Sequence, residues 1–300
     1  ITPLIALMKD QVENLKKRNI SAAAIYSGMT NTEILKTLEN AIFDAYKFLY
    51  VSPERLSTEI FIKKVSQMNI SLIAVDEAHC ISQWGYDFRP SYLRIAEIRT
   101  LLPDVPVLAL TATATAEVVD DIQTQLRFRQ KNVFKKSFNR SNLIYVVRNA
   151  ENKEEQLLKI LKNVPGTSVV YVRNRKKTRE ISEFLNQNGI TSEYFHAGLK
   201  NEIKDERQAR WKSDETRVIV ATNAFGMGID KPEVRTVVHM DLPDSLEAYF
   251  QEAGRAGRDE KKAYAVLLFN KSDEIKLRKR IADTFPPREK VKEVYEALGS

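Results

Sequence analysis

The chain has 300 residues, of which 43% are apolar and 29% charged, and its 47 Lys and Arg exceed its 40 Asp and Glu. This composition excludes a wholly disordered or fibrous chain, and the length predicts two globular domains of roughly 100–200 residues each. No apolar run approaches the ~18 residues of a membrane helix. The net charge of +7 permits a polyanionic partner without requiring one.

The single cysteine, Cys80, can form neither an internal disulfide nor, by itself, a zinc site. The three histidines are also spaced without the pattern of metal ligands. We therefore expect no zinc and no membrane association. A reducing compartment of the cytosolic type fits this cysteine usage, which would be the bacterial cytosol or nucleoid, or the nucleus of a eukaryote.

Short apolar segments alternate along the chain with longer amphipathic ones. Segments of this length and polarity are typical of strands buried on both faces of a parallel sheet, and the candidates are Ala22–Ile25, Phe48–Val51, Leu72–Val75, Val107–Leu110, Ser168–Val172, Val218–Ala221, Thr236–His239 and Ala263–Phe269. The helix candidates between them are Leu7–Lys17, Thr32–Ala45, Thr58–Gln67, Tyr92–Leu101, Thr115–Gln125, Glu154–Leu161, Lys177–Gln187 and Ser245–Arg255. This alternation predicts an α/β architecture.

A polar, basic segment at residues 127–142 interrupts the alternation once. It favours a solvated linker over a specific nucleic-acid site and predicts two similar α/β halves, residues 1–140 and 141–275. Residues 276–300 are expected to form a helical extension that Pro286 and Pro287 divide. The first residues contain neither a start Met nor a signal peptide, so we expect the chain to be part of a longer protein at both ends.

Two carboxylates, Asp76 and Glu77, follow the apolar segment Leu72–Val75 directly. Ligands bind at the carboxyl edge of open α/β sheets, and Mg²⁺ prefers one or two carboxylates together with substrate phosphates. Asp76 could hold such an ion while Glu77 activates a water for attack on a phosphoryl group. Alternatively, Asp76 caps the next turn and Glu77 is simply solvated.

Three further segments sit at predicted strand ends or on a predicted helix. Thr111 and Thr113 follow one strand, although they could simply cap the next helix. Glycines 226 and 228 follow another strand and allow close approach to a ligand, although an ordinary turn also uses them. Arg255 and Arg258 would share one helix face, and paired guanidinium groups suit phosphate recognition.

In order and spacing, these segments resemble the core of superfamily 2 helicases, and most closely the RecQ family of DNA helicases. The resemblance extends from Thr2-Pro3-Leu4 to Arg258-Asp259. Its most specific part is the segment CISQWGYDFRP at residues 80–90, which is similar to the aromatic-rich loop of RecQ proteins. Such a core has two RecA-like domains, each a mainly parallel sheet flanked by helices, which clamp ATP between them.

The resemblance also implies roles for individual residues. Asp76 would bind Mg²⁺ through water, Glu77 would activate the attacking water, and His79 would couple the nucleotide to the DNA side. Arg255 and Arg258 would act on the γ-phosphate. The other expected nucleotide-side residues are Gly228, Asp230 and Gln251, and Thr111 and Thr113 would tie hydrolysis to domain movement. The expected nucleic-acid contacts are Gln83, Trp84, Tyr86, Phe88, Arg89, Arg173, Arg175, His196 and Thr222.

One family motif does not occur in these 300 residues: the G-x-x-x-x-G-K-[ST] loop, whose amides and Lys hold the phosphates. We therefore expect the parent protein to be an ATP- and Mg²⁺-dependent 3′-to-5′ DNA helicase, acting as a monomer on single-stranded and forked DNA, and this chain alone to be catalytically incomplete. A module that binds single-stranded DNA without turnover and an RNA helicase of the same superfamily are the alternatives.

Overall fold

Buried parallel strands organise both halves of the chain in the computed structural model, which describes residues 1–85, 87–226 and 231–298. The chain divides into two units, the first containing Ile1–Phe138 and the second Asn139–Phe225 with Lys231–Ser300. The α/β class predicted from the alternating pattern is confirmed.

The first unit contains two parallel strand pairs. Strands β1 (Ala22–Ile25) and β2 (Phe48–Val51) form one pair, and β3 (Ile73–Val75) and β4 (Val107–Ala109) form the other. Ile1 and Thr2 connect the pairs, because the Thr2 amide donates to the Val51 carbonyl and the Asp76 amide donates to the Ile1 carbonyl. The helices of this unit are α1 (Ile5–Lys17), α2 (Asn31–Ile42), α3 (Glu59–Val65), α4 (Ile95–Leu101) and α5 (Ala116–Gln125).

The second unit is built on one six-stranded parallel sheet in the order β5-β10-β9-β6-β8-β7. Its strands are β5 (Leu143–Asn149), β6 (Ser168–Tyr171), β7 (Ser192–Phe195), β8 (Val218–Ala221), β9 (Thr236–His239) and β10 (Ala263–Phe269). The central strands β6, β8 and β9 are buried at every position, as their mostly apolar sequences predict. The helices are α6 (Lys153–Asn163), α7 (Arg175–Gln187), α8 (Asn201–Lys212), α9 (Leu246–Ala253), α10 (Lys271–Thr284) and α11 (Arg288–Leu298).

Three elements of the second unit lie outside the sequence prediction, although β5 begins with five apolar residues. Strand β5 lies at the sheet edge, and only Leu143 of its seven residues is buried. Strand β7 is half polar, and α8 buries only Trp211. None of these three was among the predicted elements. No helix in the described part of the chain is long and apolar enough to cross a membrane.

Candidate functional site

The carboxyl ends of β3 and β4 bring the predicted acidic pair beside the threonine segment. Val75 is in register with Ala109, and the Ala78 amide donates to the Leu110 carbonyl at 2.9 Å. Glu77 adopts the left-handed conformation (φ 48°, ψ 43°), which turns the chain sharply at the strand end. The two predicted segments therefore form one cluster at one sheet edge.

Hydrogen bonds orient the Asp76 carboxylate. One oxygen accepts from the Glu77 amide at 2.9 Å and the other from the Thr2 hydroxyl at 3.2 Å. The Tyr92 hydroxyl donates to the Asp76 carbonyl at 3.0 Å, which fixes the backbone as well. The half-buried carboxylate is thus held in one orientation and keeps lone pairs available for water or a cation.

His79 is buried and connects the acidic pair to Thr111. Its Nδ1 lies 3.0 Å from the Thr111 hydroxyl and 3.4 Å from a Glu77 carboxylate oxygen. Burial lowers the pKa of His79, because a low-dielectric environment disfavours the imidazolium. The Thr113 amide donates to the Thr111 hydroxyl at 3.3 Å. His79 therefore contacts both the acidic pair and the threonine segment.

The aromatic loop begins directly after this cluster and leaves its tryptophan in solvent. Trp84 is 76% exposed, whereas Cys80, Ile81 and Ser82 at the start of the loop are buried. A Cβ on Gly85 would lie 2.6 Å from the His79 carbonyl oxygen, so only glycine allows the loop to pass this closely. The exposed Trp84 indole thus follows directly after a buried, closely packed segment.

Other residues of the aromatic loop are already paired within it. Arg89 forms an ion pair with Asp87 at 2.9 Å, and its amide donates to the Cys80 carbonyl at 2.8 Å. Phe88 is half-buried and Gln83 is exposed. Tyr86, also predicted here, lies outside the described residues.

In the second unit, the ends of β6, β8 and β9 lie in register and border a cavity of about 100 Å³. Thr222 and Arg173, both predicted nucleic-acid residues, line this cavity. The Arg173 guanidinium forms an ion pair with Asp244 at 2.5 Å, and its amide donates to the Asp241 carboxylate at 3.0 Å. The charge of Arg173 is therefore partly compensated.

Arg175 and His196 lie together at the neighbouring β7 end. A Cβ on Gly198 would lie 3.1 Å from the Arg175 guanidinium and 3.3 Å from the His196 ring. Burial lowers the pKa of His196, and the nearby cations Arg175, Arg207 and Lys204 lower it further. This concentration of positive charge is suited to an anion.

The predicted helix position of Arg255 and Arg258 is wrong. Helix α9 ends at Ala253, and both arginines lie in the turn that follows it. Arg255 is only 8% exposed, whereas Arg258 is exposed. The helix ends here for a local reason. The Gly254 amide makes the last helical hydrogen bond, to the Phe250 carbonyl, and Gly257 has a positive φ of 62°, which L-residues rarely adopt.

Sequence reasoning did not find the groups that surround Arg255. Its guanidinium hydrogen-bonds the buried Tyr171 hydroxyl, which itself donates to the Phe225 carbonyl at 2.9 Å. Burial raises the pKa of Tyr171 to about 12, and the Arg255 charge opposes that rise. Tyr171 stacks on His239, whose Nε2 lies 2.8 Å from a Glu252 carboxylate oxygen. No motif identified this network, because its members lie on β6, β9 and α9 and on two connecting segments.

Three predicted nucleotide-side residues remain, of which only Gln251 lies in the part of the chain that the structure describes. Gln251 is half-buried on α9, two residues before its end. Gly228 and Asp230 lie outside the described residues. Within the described ranges, no three His, Cys, Asp or Glu side chains are grouped so that they could hold a metal ion.

Comparison with known proteins identifies the class to which this arrangement belongs. The DEAD/DEAH box helicase family matches residues 1–122, and the helicase conserved C-terminal domain matches residues 152–260. The two matches define a superfamily 2 helicase core. The fold agrees: the Mycobacterium smegmatis helicase Lhr, solved with single-stranded DNA and AMP-PNP, superposes with a TM-score of 0.68 at 19% identity, over 92% of this chain and 40% of that one.

Sequence relatives narrow the assignment. The ATP-dependent DNA helicase RecQ of Bacillus subtilis is 46% identical over 91% of this chain and 46% of its own length, and RecQ of Haemophilus influenzae is 39% identical over 100% and 49%. A putative ATP-dependent RNA helicase of Acanthamoeba polyphaga mimivirus is 40% identical over 91% and 50%. The chain thus belongs to the RecQ family, and it spans about half the length of these relatives.

Proposed function

We propose that this chain is the core of an ATP-dependent DNA helicase that couples ATP hydrolysis to 3′-to-5′ movement on single-stranded DNA and to opening of forked duplexes. Residues 1–140 and 141–275 are its two helicase domains, and it acts as a monomer in the cytosol or, in a eukaryote, the nucleus. The observation that carries the proposal is the oriented Asp76–Glu77–His79 cluster with an exposed Trp84 directly after it. The RecQ names of its relatives support DNA as the substrate.

The nucleotide chemistry begins at Asp76. Its oriented carboxylate fits Mg²⁺, which keeps several waters and needs only one or two carboxylates beside the phosphates. When bound, the ion neutralises charge on the phosphates. Glu77 accepts a proton from the attacking water, and general-base catalysis of this kind contributes about 10²–10⁴-fold.

Arg255 and Arg258 supply positive charge to the γ-phosphate during hydrolysis, with Gln251, Gly228 and Asp230 beside them. An arginine in this role is worth about 10³–10⁵ in rate. The Tyr171 hydroxyl supports the proposal, because it holds the Arg255 guanidinium in a defined place. An arginine fixed beforehand loses less entropy when it meets the phosphate.

DNA is bound by the aromatic loop and by the β7 and β8 ends of the second unit. Stacking of a base on Trp84 contributes about 1–3 kcal/mol, and opening one DNA step costs about 1.4 kcal/mol on average. One stacked base therefore offsets roughly one opened step. The His79 ring contacts Thr111, and the His79 carbonyl packs against Gly85, next to Trp84. A change of conformation in the nucleotide site can therefore shift Trp84 through these contacts.

The 300 residues alone hydrolyse little ATP under this proposal, because they contain no G-x-x-x-x-G-K-[ST] segment to hold the phosphates. An RNA helicase is the second candidate, favoured by the mimivirus relative. The two are separated by competition between matched DNA and RNA strands for the full-length protein. Preferential unwinding of RNA would end the DNA proposal.

The proposed function is tested on the full-length protein with Glu77→Gln and Trp84→Ala. We expect Glu77→Gln to abolish at least 99% of ATP hydrolysis while ATP still binds. Trp84→Ala should weaken unwinding and DNA-stimulated hydrolysis about tenfold, because it removes one stacking surface.

Matched controls are the exposed residues Glu59→Gln and Phe43→Ala of the same unit, which leave the predicted site intact. Full hydrolysis by Glu77→Gln would refute the catalytic assignment. Equal effects of Trp84→Ala and Phe43→Ala would refute the stacking role.

A further inference from the structure

Arg140 contacts the turn that carries the two arginines of the second unit. Its guanidinium donates to the Gly254 carbonyl at 2.9 Å and, through a second nitrogen, to the Gly257 carbonyl. These two carbonyls bracket Arg255 along the chain. Sequence reasoning assigned Arg140 to a solvated basic segment, and the structure instead leaves it half-buried against this turn.

Sheet topology explains why residues so distant in sequence meet. Strand β5 pairs with β10, and their first residues, Leu143 and Ala263, are in register. The segment that leads into β5 therefore lies beside the turn that leads into β10. The Leu143 amide donates to the Arg140 carbonyl, which closes a turn just before β5. Arg140 therefore lies close to the turn before β10.

Asn142 also holds this turn. Its side-chain amide donates to the Gly257 carbonyl at 2.7 Å and to the Lys261 carbonyl at 2.9 Å. A Cβ on Gly257 would lie 2.7 Å from that amide, so the fit leaves no space for a larger residue. The backbone from residue 254 to residue 261 is thus fixed by two side chains of the segment before β5.

We propose that Arg140 is a positioning residue for Arg255, acting through the backbone of the turn that carries it. This inference rests on the proposed function, in which Arg255 acts on the γ-phosphate. A guanidinium presents several N–H donors in a rigid plane and can serve two carbonyls at once, whereas the ammonium of lysine is a compact point charge. The fork of Arg140, rather than its charge, holds the turn.

The test measures steady-state ATP hydrolysis by the full-length protein with single-stranded DNA present. Arg140→Lys keeps the charge and removes the fork. We expect kcat to fall about ten- to hundredfold, as for a small misplacement of a catalytic group, while KM for ATP changes less than twofold. The matched control is Arg148→Lys, an exposed arginine on β5 close in sequence, which should change kcat less than twofold.

A double-mutant cycle separates positioning from a general structural role. If Arg140 acts through Arg255, then Arg140→Lys should change the residual rate of an Arg255→Gln protein less than twofold, because the positioned group is already absent. Independent, multiplying effects of the two substitutions would overturn the inference. So would an Arg140→Lys protein whose kcat stays within twofold of wild type.

The cycle also distinguishes failure of this inference from failure of the proposed function. An Arg255→Gln protein with wild-type kcat, or a wild-type protein that does not hydrolyse ATP, would refute both. If Arg140→Lys does not fold, as judged by its thermal unfolding curve, Asn142→Ala takes its place with the same expectations for kcat and KM. It removes the other two side-chain bonds to the turn.

Discussion

Replacing Asp273 by Asn tests the buried ion pair that attaches α10 to the sheet of the second unit. The Lys153 ammonium lies 2.6 Å from the Asp273 carboxylate, and the two side chains are 12% and 4% exposed. Lys153 also donates to the Met240 carbonyl, just after β9. Asp273 accepts from the Asn270 amide at 2.8 Å as part of the capping box that starts α10.

Asp273→Asn keeps the shape of the side chain but removes its charge, so Lys153 would be buried without a counter-charge. Breaking such a pair from one side costs about 3–5 kcal/mol. At about 2–4 °C per kcal/mol for a domain of 150–250 residues, the second unit should melt about 6–20 °C lower.

Tryptophan fluorescence can isolate the transition of the second unit. The chain has two tryptophans, of which Trp84 is exposed in the first unit and Trp211 is buried in the second. In a Trp84→Phe background, the emission of Trp211 reports on the second unit alone. Thermal unfolding followed at this residue gives the shift for Asp273→Asn.

The matched control breaks an exposed pair on the same helix. Glu274 and Arg278 lie 2.8 Å apart, with side chains 52% and 77% exposed, so Glu274→Gln should cost at most about 0.5 kcal/mol. A melting shift for Asp273→Asn as small as the shift for Glu274→Gln would show that the buried pair contributes nothing, against this reasoning.

Three further predictions concern the loop, the thiol and an acid-sensitive pair. Gly85→Ala should weaken binding of single-stranded DNA severalfold in fluorescence anisotropy, because its Cβ would lie 2.6 Å from the His79 carbonyl oxygen; unchanged affinity contradicts this. Burial raises the pKa of Cys80 to about 12, so a maleimide at about pH 8 should label it only after denaturation, and rapid native labelling contradicts this. The Arg235 side chain lowers the pKa of Asp259 below its ordinary value of 3.8. The contribution of this pair to the free energy of unfolding is therefore fully present above pH 3.8, and it is lost as the pH falls through the lowered pKa of the folded protein. The urea midpoint of Asp259→Asn should therefore fall less between about pH 5 and pH 2 than that of wild type, and parallel curves contradict this.

Much of the fold could be predicted because the central strands are buried on both faces. The mostly apolar segments Val218–Ala221 and Thr236–His239 are strands with the predicted bounds. Helix α8 could not be predicted this way, since seven of its twelve residues are charged and it buries only Trp211. Its position depends on contacts with other elements, which local periodicity does not report.

In the candidate site, too, some residues could be placed from the sequence and others could not. The acidic pair and the threonine segment were predictable, because parallel strands must end at a common edge. The turn after α9 was not, because spacing alone made Arg255 and Arg258 appear helical, whereas Gly257 requires a positive φ. The contacts of Arg140 were not predictable either. They depend on the pairing of β5 with β10, which brings together residues more than one hundred positions apart in the sequence.

That pairing also has a consequence for synthesis on the ribosome. Strand β5 is the first strand of the six-stranded sheet to be translated, and its hydrogen-bonding neighbour β10 is the last. Until Phe269 has left the exit tunnel, the newly made β5 has no neighbour within its own sheet and presents an open strand edge, which is prone to association with other chains. The sheet of the second unit can therefore be completed only after its final strand has been synthesised.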